Sequence, residues 1–314
     1  MNILIFATGG TIGSVFDGGN INVSTEQSCA VAEDYAATHP DVQFTIRKPL
    51  NILSERIACD DLNTLSNAVL HEELSAYDGV ILTVGSDNLA YLTAFVGLLC
   101  ADTEAPICLV AADRVLSDPA TNGFANFACA VELIRQRTHG VFVPYRNSDG
   151  VIYVHSATEL RQADLSDDFF SFHGAYAVFD NGVLHKKRPF IAQRIPPVLD
   201  RDHLPQINDN VLLMHPYPLQ DYSRICVDGV KAVLHTLCHS ATLDTPSAIG
   251  FIRACQAPVF LASFRQGRKK YQTAVDAIEA GAIPLYDIAP ECAYIKLLFA
   301  CSQDEMGIEE FMAS

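Results

Sequence analysis

The sequence predicts an α/β protein of two domains: a larger, mainly parallel sheet with helices on both faces, then a smaller α/β unit. Three observations carry this. Short apolar runs, such as residues 3–7 and 77–84, end at glycine and give way to helical periodicity, the alternation that builds a covered parallel sheet. One device occurs twice: strand, glycine and hydroxyl, at Thr8-Gly-Gly-Thr11 and again at Gly85-Ser-Asp-Asn88. Residues 186–209, rich in charge and carrying Pro189, Pro196, Pro197 and Pro205, then interrupt the pattern as a linker does. The expected boundaries are residues 1–188 for the first domain, 189–209 for the linker and 210–314 for the second domain.

In chain order, residues 3–7 form a buried strand delivering a tight turn. Residues 25–50 are of mixed polarity and contain one expected strand, 42–46. Ser54 and Glu55 stand just before a helix that Asp60 and Asp61 can cap, with Leu62, Leu65 and Val69 at i, i+3 and i+7. Residues 77–84 read as the next buried strand, 89–100 as an apolar helix, 106–111 as a strand and 112–119 as a loop. A helix over 123–137 should place Phe124, Phe127, Val131 and Ile134 on one face. Residues 140–145 and 151–154 read as a strand pair joined by 146–150. Residues 156–172 show no clean period. In the second domain strands are expected near 211–214, 229–234, 258–262 and 283–285, and helices near 246–254, 272–280 and 290–300.

Composition narrows the function. With 314 residues there is chain enough for two real cores. A formal charge of −16 opposes a nucleic-acid or anionic-membrane partner, whose phosphates need Lys and Arg. No charged n-region with an apolar h-region opens the chain, so no secretory signal is expected. No apolar stretch reaches membrane-spanning length without polar interruption. The ten cysteines include no Cys-x-x-Cys and stand mostly in apolar runs, as small buried hydrophobes of a reducing compartment do; a cytoplasmic location is expected.

The chemistry starts at Thr11. Its hydroxyl sits at the tip of a glycine turn, at the carboxyl end of the first strand, the edge where open α/β sheets hold ligands. No Gly-x-Gly-x-x-Gly or P-loop accompanies that turn, which disfavours phosphate binding there. Two readings stay open at this point: a turn that merely closes, and one in which Thr11 is a nucleophile and the protein an amide hydrolase.

The ordered set Thr8-Gly-Gly-Thr-Ile12, Ser54 in Leu53-Ser-Glu55, and Val84-Gly-Ser-Asp-Asn88 resembles the bacterial-type L-asparaginases. The loop 112–123 and the segment 288–298 resemble that family too, so the likeness runs through nearly the whole chain. It implies the two-domain asparaginase-like fold and hydrolysis of the side-chain amide of L-asparagine or a similar small amide. By this resemblance Thr11 forms an acyl-enzyme, Ser86 positions the hydrolytic water, Asp87 holds the substrate ammonium and Ser54 its carboxylate. Main-chain N–H groups of the turns, with Gly10 and Gly85, face the developing oxyanion. Asn88 is a binding position, and Glu55 is either a helix-start charge or a substrate contact. No metal and no cofactor is implied. A homodimer or homotetramer acting on a small molecule is.

Two departures from the family pattern stand out. Residues 12–34 lack the family's Tyr, leaving Ser14, Phe16 or Tyr35 nearby. The family's Lys is also missing: no Lys occurs between Lys48 and Lys186, and its place falls on Arg161 or Gln162. Guanidinium stays charged above about pH 12 and an amide does not titrate, so neither serves as a base. His155 and His173 flank this segment as substitutes or as structural residues. An alternative reading is thus an impaired, asparaginase-like sensor of amino acids. The transfer-RNA amidotransferase component that shares this domain ranks third, because it carries an extra N-terminal module and the present chain is acidic. His235-Thr-Leu-Cys-His239 is read as core or interface in preference to zinc, and Asp167-Asp168 as a solvated loop or cap.

Overall fold

A computed structural model describes residues 1–314 except 18, 25–28, 164–166, 197, 198, 200–203 and 244, and except the side chains of 16, 17, 21, 23 and 245. Two compact units divide it, Met1–Arg194 and Ile195–Ser314. The expected linker, 189–209, includes six residues outside the described set.

In the first unit the strands are β1 (Asn2–Ala7), β2 (Ser14–Asp17), β3 (Asn20–Val23), β4 (Gln43–Arg47), β5 (Gly79–Thr83), β6 (Ile107–Val110), β7 (Val141–Arg146), β8 (Ile152–Ser156), β9 (Leu160–Arg161), β10 (Phe170–Ser171), β11 (Ala177–Asp180) and β12 (Val183–Lys186). Its helices are α1 (Ala30–Thr38), α2 (Cys59–Leu70), α3 (Leu89–Leu99) and α4 (Gly123–Arg135). Eight strands form one sheet in the order β12-β11-β8-β7-β6-β5-β1-β4, parallel from β4 to β7 and antiparallel beyond. Alternation in β1 shows why both faces are covered. Ile3 and Ile5 join one core with Val31 of α1 and Phe127 and Val131 of α4, while Leu4 and Phe6 are buried away from it. The order matters for function: from β1 the chain moves out to β4, then crosses to the other side of β1 as β5. That reversal opens a crevice outside the carboxyl ends of β1 and β5.

The second unit has a parallel sheet, β13 (Val211–Met214), β14 (Ala232–Thr236), β15 (Val259–Phe264) and β16 (Ile283–Tyr286), paired in chain order. Its helices are α5 (Thr245–Ala254), α6 (Gln272–Glu279), α7 (Pro290–Ser302) and α8 (Ile308–Ala313). Val233, Leu261 and Phe264 from the sheet pack with Ala248, Ile252, Ala274 and Ala277 from α5 and α6.

Several expectations need correction. The strand expected at 229–234 is Ala232–Thr236, because the turn at Gly229, at φ 76°, delays it. Phe124 is 41% exposed, so only Phe127, Val131 and Ile134 of the expected stripe enter the core. Of Asp60 and Asp61 only Asp61 caps α2, and it does so by reaching back to the N-cap residue, Ala58. Both lie in its first turn, where Asp61 Oδ2 accepts the Ala58 N–H at 2.9 Å. The hairpins β2–β3 and β11–β12, helix α1 and helix α8 were not expected at all.

Candidate active site

The site forms where three loops meet at the β1–β5 crevice. Register brings the two hydroxyl-bearing turns level: Ala7 pairs with Thr83, so Thr11 and Asp87 each stand four residues beyond matched strand ends. Thr8 fastens the ends together, its N–H and Oγ1 both donating to the Thr83 carbonyl at 3.1 and 2.9 Å. The third loop joins through Ile52, whose N–H donates to Thr8 O and whose carbonyl accepts the Gly10 N–H, both at 3.0 Å. Gly9 and Ile52 form an isolated parallel bridge.

Glycine is required here. Gly9 and Gly10 have φ of 105° and 76°, a region that side chains avoid. A Cβ on Gly10 would lie 2.3 Å from the Cα and N of Gly85, and one on Gly85 would lie 2.3 Å from Ser54 Oγ. The two corners therefore touch main chain to main chain, with Ser54 against them. Beyond Gly10 the chain makes a single 3₁₀ turn, Thr11–Gly13, which leaves Thr11 partly exposed.

Ser54 opens a similar turn, Ser54–Arg56, and is 6% exposed. Its Oγ accepts the Asp87 N–H at 3.2 Å, while its carbonyl accepts Asn88 Nδ2 at 2.7 Å. With a lone pair so engaged, the Ser54 O–H is directed to donate elsewhere, as carboxylate recognition requires. Glu55 and Asp87 are exposed, and Ser86 and Asn88 are partly exposed. Neither the Thr11 nor the Ser86 main-chain N–H finds an acceptor among the described residues, so each corner has a donor to offer.

Arg161 and Gln162, the two positions weighed for the family's Lys, differ in their surroundings. Gln162 Oε1 accepts the Ala90 N–H at 3.1 Å, and its Nε2 donates to the Ser86 carbonyl at 3.2 Å. The amide thus caps the start of α3 and braces the Ser86–Asp87 corner. Arg161 is exposed on the short strand β9. The β9–β10 hairpin that carries Gln162 is held from below: buried Glu159 lies 2.6 Å from His173 Nδ1 and pairs with Arg188. His155 is also structural, buried with Nδ1 2.7 Å from Ser171 Oγ; burial first, then the nearby Arg188, drives its pKa down to about 3.

The Tyr question resolves less fully. Tyr35 packs on α1 among His39, Phe44 and Phe127, and the Phe16 side chain lies outside the described residues. Ser14 has another use, which the sequence did not reveal: its Oγ donates to Gly10 O at 2.8 Å and locks the turn that carries Thr11. His235 lies in β14 with Nε2 2.7 Å from the Tyr222 hydroxyl, while Cys238 and His239 are exposed. Asp168 accepts from the N–H and Oγ of Ser148, at 2.6 and 2.7 Å, closing a loop. No group of three or more metal-ligating side chains is found among the described residues, and no helix is long and apolar enough to cross a membrane.

Comparison with known proteins gives the same region a family resemblance. A family model described as Asparaginase, N-terminal matches residues 2–185. A glutamyl-tRNA(Gln) amidotransferase subunit of Haloquadratum walsbyi is 25% identical over 319 residues, covering 95% of this chain and 71% of that protein. The corresponding subunit of Methanosarcina acetivorans is 27% identical, covering 96% and 74%. Among solved structures, the thermostable L-asparaginase of Thermococcus kodakarensis aligns at a TM-score of 0.78 and 20% identity, covering 100% of this chain and 97% of that one. A probable cytoplasmic L-asparaginase of Campylobacter jejuni aligns at 0.77 and 18%, covering 99% of each. At these identities the structural likeness is one of fold.

Proposed function

The chain belongs to the asparaginase family, and on that footing we propose that it hydrolyses the side-chain amide of L-asparagine or a similar small amide through Thr11. The observation that carries the reading is the contact between Gly10 and Gly85, with Ser54 against it, at the switch point of the sheet. Such a corner holds a small substrate between two hydroxyl-bearing turns, and little else.

In the proposed reaction the Thr11 oxygen attacks the amide carbon while the N–H groups of Thr11 and Ser86 receive the developing oxyanion. The carbon–nitrogen bond breaks, and ammonia leaves with the proton that Thr11 gave up. Water placed by the Ser86 hydroxyl then cleaves the ester and releases the carboxylic acid. Asp87 faces the substrate ammonium, and Ser54, its oxygen already bound to the Asp87 N–H, donates to the carboxylate. Glu55 and Asn88 border the same space. The residues involved need no metal or organic cofactor. We assign the protein to the cytoplasm and to a homodimer or homotetramer as part of this reading.

Ammonia release from asparagine, glutamine and small aliphatic amides tests it, with Thr11→Val as the control. Release by the native protein and its loss in the variant is the expected result; equal release by both removes Thr11 from the chemistry.

One observation favours a second reading. Gln162, which cannot take up a proton, braces the Ser86–Asp87 corner, and the resemblance gives the family's Lys place to it or to Arg161, which supports a sensor that binds amino acids without turnover. Calorimetry with aspartate and asparagine separates the two, since binding with no ammonia release fits the sensor alone. The names of the sequence relatives point to a third role, as an amidotransferase component acting with transfer RNA.

A further inference from the structure

Cations are scarce in this chain and, in one place, crowded. The sequence has 21 Lys and Arg against 37 Asp and Glu, yet Arg265, Arg268, Lys269 and Lys270 fall within six residues. Crowding like charge works against the folded state, and with carboxylates in excess nothing in the composition forces it. Arg268, Lys269 and Lys270 are exposed, and no carboxylate pairs with them among the described residues. Arg265 sits deeper; burial above all, then the opposed influences of Asp287 and Arg268, leaves it below the ordinary arginine range.

The loop that carries them is well defined. It leaves β15 at Phe264 and turns with Gly267 at φ 74°, the Arg268 N–H donating to Arg265 O at 3.3 Å. The Gln266 N–H donates to Asp287 Oδ2 at 3.2 Å, which ties the loop to the end of β16. Lys270 Nζ stands 5.0 Å from the ring centroid of Tyr286 and 5.7 Å from that of Phe264. Tyr271 is 62% exposed beside the cations, while the Tyr286 ring, 38% exposed, carries Lys270 on one face and lies 5.8 Å from the Phe264 ring. All of this lies outside the carboxyl ends of β15 and β16, the edge where parallel α/β sheets hold ligands.

We propose that the 265–271 loop and Tyr286 form a binding site for the phosphates of a nucleotide, with a tyrosine ring as the face on which its base stacks. The exposed Arg268 guanidinium and the Lys269 and Lys270 ammonium groups, which no carboxylate pairs with among the described residues, match phosphate oxygens. An aromatic face beside them matches a base. A simple carboxylate would satisfy the cations and leave the rings idle. The acidity of the whole chain does not forbid this, because screening confines surface fields to about 8 Å at physiological ionic strength.

The test is a titration of the full-length protein with ATP, ring-free tripolyphosphate and phosphate-free adenosine, and with a labelled single-stranded RNA 12-mer. ATP is expected to bind more tightly than either fragment, and R268Q/K269Q/K270Q to weaken it by about tenfold or more. Tyr271→Ala or Tyr286→Ala should erase the advantage of ATP over tripolyphosphate. Binding of ATP without RNA identifies a free nucleotide as the source; binding of both, with ATP displacing RNA, identifies a strand. In the RNA arm the salt slope should fall by about 2 on removing the three charges. Circular dichroism and light scattering accompany each variant. Failure of the native protein to bind either ligand, or undiminished binding by the triple variant, overturns the proposal. So does a triple variant that merely loses self-association, because the loop then contacts a second copy of the chain.

Discussion

Gly10 and Gly85 pack main chain on main chain, so closely that a Cβ added to Gly10 would lie 2.3 Å from the Gly85 Cα. The turn that carries Thr11 and the turn that carries Ser86 and Asp87, on separate strands, thereby share one floor. The contact is unforgiving. Gly85→Ala keeps an ordinary backbone conformation but drives its methyl into Ser54 Oγ at 2.3 Å. Overpacking of this kind costs about 1–3 kcal/mol, and displaced turns should abolish amide turnover. Ser54→Gly in the same chain removes the nearest clash and should recover much of the stability but none of the activity. Urea unfolding of the single and double variants reads the first effect; a double variant no more stable than Gly85→Ala would rule out Ser54 as the obstacle.

Ser54→Ala separates scaffold from binding. It leaves the Asp87 N–H without its acceptor, for a loss of about 1–2 kcal/mol. If the Ser54 hydroxyl also meets the substrate carboxylate, KM for asparagine should rise about tenfold, which corresponds to 1.4 kcal/mol, with a smaller change in kcat. A KM that stays put while stability falls would make Ser54 purely structural.

Much of this site could be read from residue order, because glycine–hydroxyl turns after buried strands declare themselves locally. What was missed depended on partners far along the chain. Ser14 looked like a candidate for a missing phenol, whereas it binds the Gly10 carbonyl. That Gln162 bonds the Ala90 N–H at the start of α3 while Arg161 is exposed depends on the pairing of β9 with β10, residues 160–161 against 170–171. In the fold, β11–β12 carries a local signal that went unread: Asn181-Gly182 sits between two strand segments, both residues at positive φ, as a tight hairpin requires. Helix α1 gave no comparable warning. Of its nine residues only Val31 and Ala32 are buried, too few for a periodic stripe.

Gln162 allows a gain-of-function test. Its amide supports Ser86 and Ala90 but holds no transferable proton, so a native protein with low turnover should gain from Gln162→Lys. A general base contributes about 10²–10⁴-fold, and the gain should grow as pH rises through the amine's pKa, since only the neutral amine accepts a proton. Gln162→Glu keeps the acceptor for Ala90, loses the donor to Ser86 and should show neither the gain nor that pH limb. Identical rate profiles for Gln162→Lys and the native enzyme would mean that no proton passes through this position.

His155 predicts how the fold responds to acid. Its ring is buried on β8, with Nε2 lacking a partner among the described residues. Burial, and secondarily Arg188, lowers its pKa from an ordinary 6.5 to about 3. The unfolded chain therefore binds a proton below pH 6.5 that the folded chain refuses until about pH 3. His155 contributes its full stabilisation above pH 6.5, and that share is lost as pH falls, by about 1.4 kcal/mol per pH unit. Depressed carboxylates such as Glu72 beside Arg47 act only lower, once pH falls below their ordinary 4.5. Burial also lowers the pKa of His235, in the other unit, with the same sign. A difference measurement isolates His155. His155→Asn, which can still bond Ser171, should be less stable at pH 7.5 for want of ring volume, yet its urea midpoint should fall more gently between pH 6.5 and 5. Parallel midpoint curves for the two proteins would show that the acid limb arises elsewhere.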